Sequence, residues 1–131
     1  MSRTILPAAV LAVLAVAMGG CGEGKVFHTD RPILRITLDE YRIVPQNIVT
    51  TARRIKLVVH NTGRLTHNLE IQNPDGPGGK PVQVPGARVD TMQPGETAPP
   101  IKVTLAPGTY RLVCTIANHD DLGQFGTLVV K

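Results

Sequence analysis

The 131-residue chain has no tryptophan and only two phenylalanines and two tyrosines, so aromatics make up 3% of it. Any core it builds must be aliphatic. It has two cysteines, Cys21 and Cys114, which excludes a framework of several disulfides. Beyond the first twenty residues no stretch of about ten carries helical periodicity, and no segment repeats. Charged residues are 18% of the chain, with a net charge of +4. The basic residues stand singly apart from Arg53-Arg54, with no aromatics between them. That leaves no footprint for nucleic acid and reads as a solvated surface.

One long apolar run is present, Ile5 to Met18, preceded by Arg3. It is too short and wrongly flanked to span a membrane, and reads as a secretory signal over residues 1–20. It ends Met18-Gly19-Gly20-Cys21, which resembles the lipobox of bacterial lipoproteins, with Met18 where Leu is usual. The resemblance implies that Cys21 becomes the first residue and carries lipid. The chain is then exported and tethered to the outer face of the cytoplasmic membrane, or lies in the periplasm, without spanning the bilayer. An ordinary signal peptide cut nearby is the alternative. Losing Arg3 with the signal leaves 13 basic against 10 acidic residues, a net charge of +3.

Residues 21–32, with Gly22, Gly24 and Lys25, read as a flexible tether in which His28 is a solvated side chain. From residue 33 to 131 the pattern is that of one domain. Leu34 to Asp39, Arg53 to His60, Ile101 to Leu105 and Thr109 to Cys114 alternate apolar and polar residues with period two. His60 falls on the outward side of its strand. Residues 73–86 hold four prolines and four glycines and read as a long surface loop. Seven to eight short strands between Pro/Gly turns predict an all-β, Greek-key β-sandwich.

Four polar residues stand out against this background. Cys114, His119 and Gln124 follow the spacing Cys-x4-His-x4-Gln before the last strand, and His67 opens an earlier one. Two imidazoles, a thiolate and a weak fourth donor form the set used by electron-transfer copper sites. If Cys21 carries lipid, Cys114 has no disulfide partner, and a lone thiol in an oxidising compartment must be buried or bound to metal. A Cys21–Cys114 disulfide is the structural alternative.

The combined pattern Asn61-x-Gly63-x3-His67-Asn68, then Gly108-Thr109-Tyr110-x3-Cys114-x4-His119-x3-Gly123-Gln124-x-Gly126-Thr127-Leu128-Val129-Val130, resembles the cupredoxins, the small blue-copper proteins. The resemblance implies one mononuclear Cu(II)/Cu(I) site with His67, Cys114 and His119 in its trigonal plane. It implies that Asn68 hydrogen-bonds the Cys114 loop and ties the two ligand segments together. Asn118 stands where many members have Gly, and tolerance of left-handed backbone would let the loop keep its shape. Gln124 stands where Met is the common axial ligand, as in the stellacyanins. An empty axial position, or one held by the Thr66 carbonyl, is the alternative.

These expectations describe a monomeric one-electron carrier that catalyses nothing itself. It would dock transiently with redox proteins near His119, where Leu65, Ile116, Leu122 and Phe125 supply an apolar patch. The alternative is a copper-binding module for delivery or storage, which Met-rich or His-rich tracts would favour. The three methionines are Met1, Met18 and Met92, and two of them lie in the signal. A binuclear copper site needs two Cys in one loop, and multicopper oxidases need His-x-His pairs; neither is present. A zinc site would take the same Cys and two His, with Glu70, Asp120 and Asp121 as the nearby acids. Asp120 and Asp121 are expected to face solvent.

Overall fold

In a computed structural model, residues 24–131 are described; residues 1–20, read above as a signal, and Cys21 lie outside them. Ten strands run in the order β1 (Val26–Thr29), β2 (Ile33–Asp39), β3 (Arg42–Val44), β4 (Asn47–Thr50), β5 (Arg54–Asn61), β6 (His67–Asn73), β7 (Val82–Met92), β8 (Ile101–Thr104), β9 (Gly108–Val113) and β10 (Phe125–Val130). They form a six-stranded sheet, ordered β1-β4-β10-β9-β6-β7, and a four-stranded sheet, ordered β3-β2-β5-β8. Both sheets are mixed: β1 and β10 run parallel to β4, and β2 runs parallel to β5. The architecture is the expected all-β sandwich, with ten strands rather than seven or eight.

Alternation decides which side chains enter the core. In β2, Leu34, Ile36 and Leu38 are buried, as are Ile55, Leu57 and Val59 in β5. Leu69, Ile71, Leu112, Leu128 and Val130 meet them from the other sheet. Each fully buried aliphatic side chain contributes about 1.5–3 kcal/mol. No aromatic residue is fully buried among the described residues; Tyr110 packs at the margin and donates its hydroxyl to the Ala106 carbonyl at 2.8 Å.

Two segments depart from expectation. Val26–Thr29, placed in the tether, form edge strand β1, each residue registering with one of Asn47–Thr50. His28 is exposed there, as a solvated side chain should be. Val82–Gly86, placed in the long loop, begin β7. Pro85 is tolerated because β7 is also an edge strand, where a missing N–H need not break a ladder. The pairing of β6 with β7 shifts register twice, which fits the irregular sequence.

Sheet closure near the end of the chain depends on Gly126. A Cβ there would lie 2.3 Å from the Gln46 carbonyl oxygen, which accepts the Thr127 N–H at 2.9 Å. Gln46 Nε2 in turn donates to the Phe125 carbonyl at 3.1 Å. These contacts seat β10 against β4 and set the direction in which the preceding loop leaves the sheet.

Candidate metal centre

His67 is the first residue of β6 and registers with Met92 of β7. Cys114 follows β9, and His119 and Gln124 lie in the turn that leads to β10. The fold brings the four to one end of the sandwich. The donor atoms of His67, Cys114 and His119 all lie within 4.8 Å of one another. Cys114 Sγ is 3.7 Å from His119 Nδ1, and the two imidazole centroids are 5.1 Å apart. Cys114, His67 and Gln124 have no exposed surface, while His119 keeps 9% exposed. Among the described residues Cys114 is a free thiol.

Backbone bonds close the loop carrying these donors. Cys114 N–H donates to the Gln124 carbonyl at 3.1 Å, and Gln124 N–H donates to the His119 carbonyl at 2.9 Å. Within the loop, Leu122 N–H donates to Asn118 and Gly123 N–H to Asp120. Besides Gly123, the residue of this loop with positive φ is Ala117, at 48°, and not Asn118 as expected. Asn118 instead supplies a carbonyl acceptor, so the Gly-to-Asn departure places no backbone strain there. Asp120 is half-buried rather than solvated, because Arg111 of β9 pairs with it at 3.2 Å. Glu70 is bound to Arg88 and Gln72, so of the three nearby acids only Asp121, exposed as expected, stands outside any ion pair among the described residues.

The two halves of the centre are joined by Asn68. Its Nδ2 donates to Thr115 Oγ1 at 2.9 Å, and its Oδ1 accepts the Thr115 N–H at 2.8 Å. Such bonds hold donor geometry from outside the donor set. Three more supports had no role assigned from the sequence, although Asn61 opens the pattern quoted above. Asn61 donates to the carbonyls of Leu65 (2.8 Å) and Met92 (3.1 Å) and accepts the Gly63 N–H (2.9 Å). Glu40 accepts the backbone N–H groups of Arg64 and Leu65, pinning the loop before His67. Tyr41 meets His119 edge to face, centroids 5.3 Å apart. Gly63 is required where the Glu40 carboxylate passes: a Cβ there would lie 2.6 Å from Glu40 Oε1 and 3.1 Å from His67 Nε2.

The polar atoms left over test whether a metal suits this cavity. Both ring nitrogens of His67 and Oε1 of Gln124 are buried without a hydrogen-bond partner. Gln124 Nε2 is satisfied, donating to the Asp39 carbonyl at 2.8 Å, so its amide is oriented with the oxygen left over. Buried unpaired groups each cost about 1–3 kcal/mol. Unpaired atoms of a nitrogen–sulfur–oxygen set, gathered beside one thiol, fit a soft cation such as copper or zinc.

Burial pushes the His67 imidazole below the ordinary histidine value of 6.5, and the neighbouring His119 adds to the effect. In the unfolded chain this imidazole therefore takes up a proton as pH falls through 6.5, while in the folded chain it stays neutral there. The sign is fixed: stability of the metal-free protein drops as pH falls below 6.5, down to the depressed folded value. Urea midpoints of metal-free protein are expected to decline over that window, with a shallower decline in His67→Phe. Equal slopes in the two proteins would show that His67 does not set it.

No protein-family model and no curated protein matches the sequence. Solved structures do match the fold. Reduced auracyanin from Roseiflexus castenholzii superposes with a TM-score of 0.65 at 22% identity, over 79% of this chain and 99% of its own. Rusticyanin from Thiobacillus ferrooxidans gives 0.60 at 19% identity, over 86% of each chain. Auracyanin A from Chloroflexus aurantiacus, described as a "blue" copper protein, gives 0.58 at 20% identity, over 76% and 99%. The fold is that of the cupredoxins. The match extends over 99% of each of these two auracyanins.

Proposed function

We propose that the protein is an extracytoplasmic one-electron carrier with a single type-1 copper centre, held at the membrane by lipid on Cys21. The observation that carries the metal reading is the convergence of His67, Cys114 and His119 within 4.8 Å, together with the unpaired Gln124 Oε1. Copper bound there would supply a Cu(II)/Cu(I) couple. Cys114 would provide the thiolate, His67 and His119 the imidazoles, and Gln124 an amide oxygen. Asn68 and the loop's own backbone bonds keep these donors in place. His119 is the one donor residue that reaches the surface. Exposed Leu65, Leu122 and Phe125 form the apolar surroundings in which a redox protein would meet it.

Titration of the purified metal-free protein with Cu(II) is expected to produce an intense visible absorption from thiolate-to-copper charge transfer. Cys114→Ser should abolish it while leaving the β-sheet circular dichroism intact. A parent protein that binds Cu(II) without the band, or not at all, overturns the type-1 reading. A copper store is disfavoured because the described residues offer one cluster of donors, buried except for the edge of His119.

A further inference from the structure

We propose that the outer face of the four-stranded sheet docks on an anionic lipid surface through Arg35, Arg54, Lys56 and Lys102, grouped around Ile33. The strand alternation that buries Leu34, Ile55, Leu57 and Val103 turns these four cations outward, and all are exposed. Strands β2, β3, β5 and β8 together hold five basic residues and one carboxylate, Asp39, which pairs with Arg42. Their net +4 exceeds the +3 of the whole chain after the signal, so the remaining surface is close to neutral. Among the described residues, Arg35, Arg54, Lys56 and Lys102 have no ion-pair partner.

The pairing register makes the concentration of charge more pointed. Lys56 and Lys102 stand directly opposite each other on neighbouring strands. Like charges so placed are destabilising, and an anion lying over both relieves the repulsion. Ile33, 45% exposed, registers with Lys56 on the other side and lines a groove with Arg54, Lys56 and Lys102. An apolar residue among cations suits an interface of phosphate headgroups over acyl chains.

Position selects the partner. Arg54 begins β5, and Asn61, which holds the loop before His67, ends it. Seven steps of strand separate them, about 23 Å. A body covering the Arg54 end leaves the His119 end open to a redox protein. The described chain begins at Gly24, three residues beyond Cys21, and runs directly into β1. Phe27 of β1, 47% exposed, lines a groove with Ile33 and Arg35. Val26 registers with Asn47, level with Thr127 near the start of β10, and β1 runs from there toward the Arg54 end, so the anchor leaves the sandwich at the edge that borders the basic face, nearer the metal end. The choice of lipid over an acidic protein rests on the tethered reading proposed above, in which acyl chain and basic patch act as two membrane signals.

The full chain is partitioned onto vesicles of phosphatidylcholine alone and of phosphatidylcholine with phosphatidylglycerol, across a salt series. The parent is expected to prefer the anionic vesicles, with a preference that fades as salt rises. The triple variant R54Q/K56Q/K102Q should lose about fivefold of that preference for each cation removed. Its melting temperature should be no lower than the parent's, since the opposed Lys56 and Lys102 charges are gone, and its visible copper band should match, which separates a lost surface from a lost fold. Equal partition of the parent on both vesicles overturns the proposal and leaves an acidic protein as the complement of this face. Mass measurement of the Cys21 acyl group reads the anchor separately: an acylated parent without anionic preference sinks the basic face and not the tether.

Discussion

Asn61→Ala is expected to cost about 3–5 kcal/mol of stability, the largest loss anticipated for any single side chain near the centre. Asn61 has no exposed surface, and its amide satisfies three backbone groups: the N–H of Gly63 and the carbonyls of Leu65 and Met92. Alanine leaves all three without that partner, at about 1–3 kcal/mol for each group that stays buried. The main chain at Asn61 also exchanges bonds with Gly95 and Glu96, so the loop before His67 and the turn after β7 hang from one residue. Urea unfolding measures the cost. A shift of under about 1 kcal/mol, the size of a single neutral hydrogen bond, would mean that water replaces the amide and that the loop is held by Glu40 alone.

Gln124→Met is expected to raise the reduction potential of the copper-loaded protein by at least about 59 mV, a tenfold change in the Cu(I)/Cu(II) affinity ratio. An amide oxygen is a harder donor than a thioether and favours Cu(II). The structure adds the reason that Gln124 acts through its oxygen. The side chain is fully buried, and its Nε2 donates to the Asp39 carbonyl and, more weakly at 3.4 Å, to that of Arg42. The oxygen is therefore turned into the cavity. Spectroelectrochemical titration of the two proteins decides the matter, and an unchanged or lowered potential in the variant removes Gln124 from the axial role.

Much of this organisation is legible in the chain because it is written locally. The alternation of β2, β5, β8 and β9 needs no partner to be recognised, and the Cys-x4-His-x4-Gln spacing lies within one loop. What escaped depends on distant segments. Val26–Thr29 has little pattern of its own and becomes a strand only because Asn47–Thr50 offers it a ladder. Pro85 and Gly86 read as loop because edge position, which excuses them, is a property of the sheet. The left-handed turn fell at Ala117 because the hydrogen bonds of the loop, not residue preference, fix which residue takes the bend. Glu40 and Tyr41 carry no motif; their contacts with the Arg64–Leu65 backbone and with His119 arise only when β2 is laid beside β5.

The loop from Cys114 to Gln124 is fastened to itself by main-chain bonds at its mouth and by Arg111 at its side. The consequence concerns speed. Donors whose backbone is held this tightly cannot follow the preference of each oxidation state, so little nuclear motion accompanies gain or loss of an electron. For the proposed copper-loaded protein the reorganisation energy would then be low, and the rate of exchange would depend on how closely a partner approaches the exposed edge of His119.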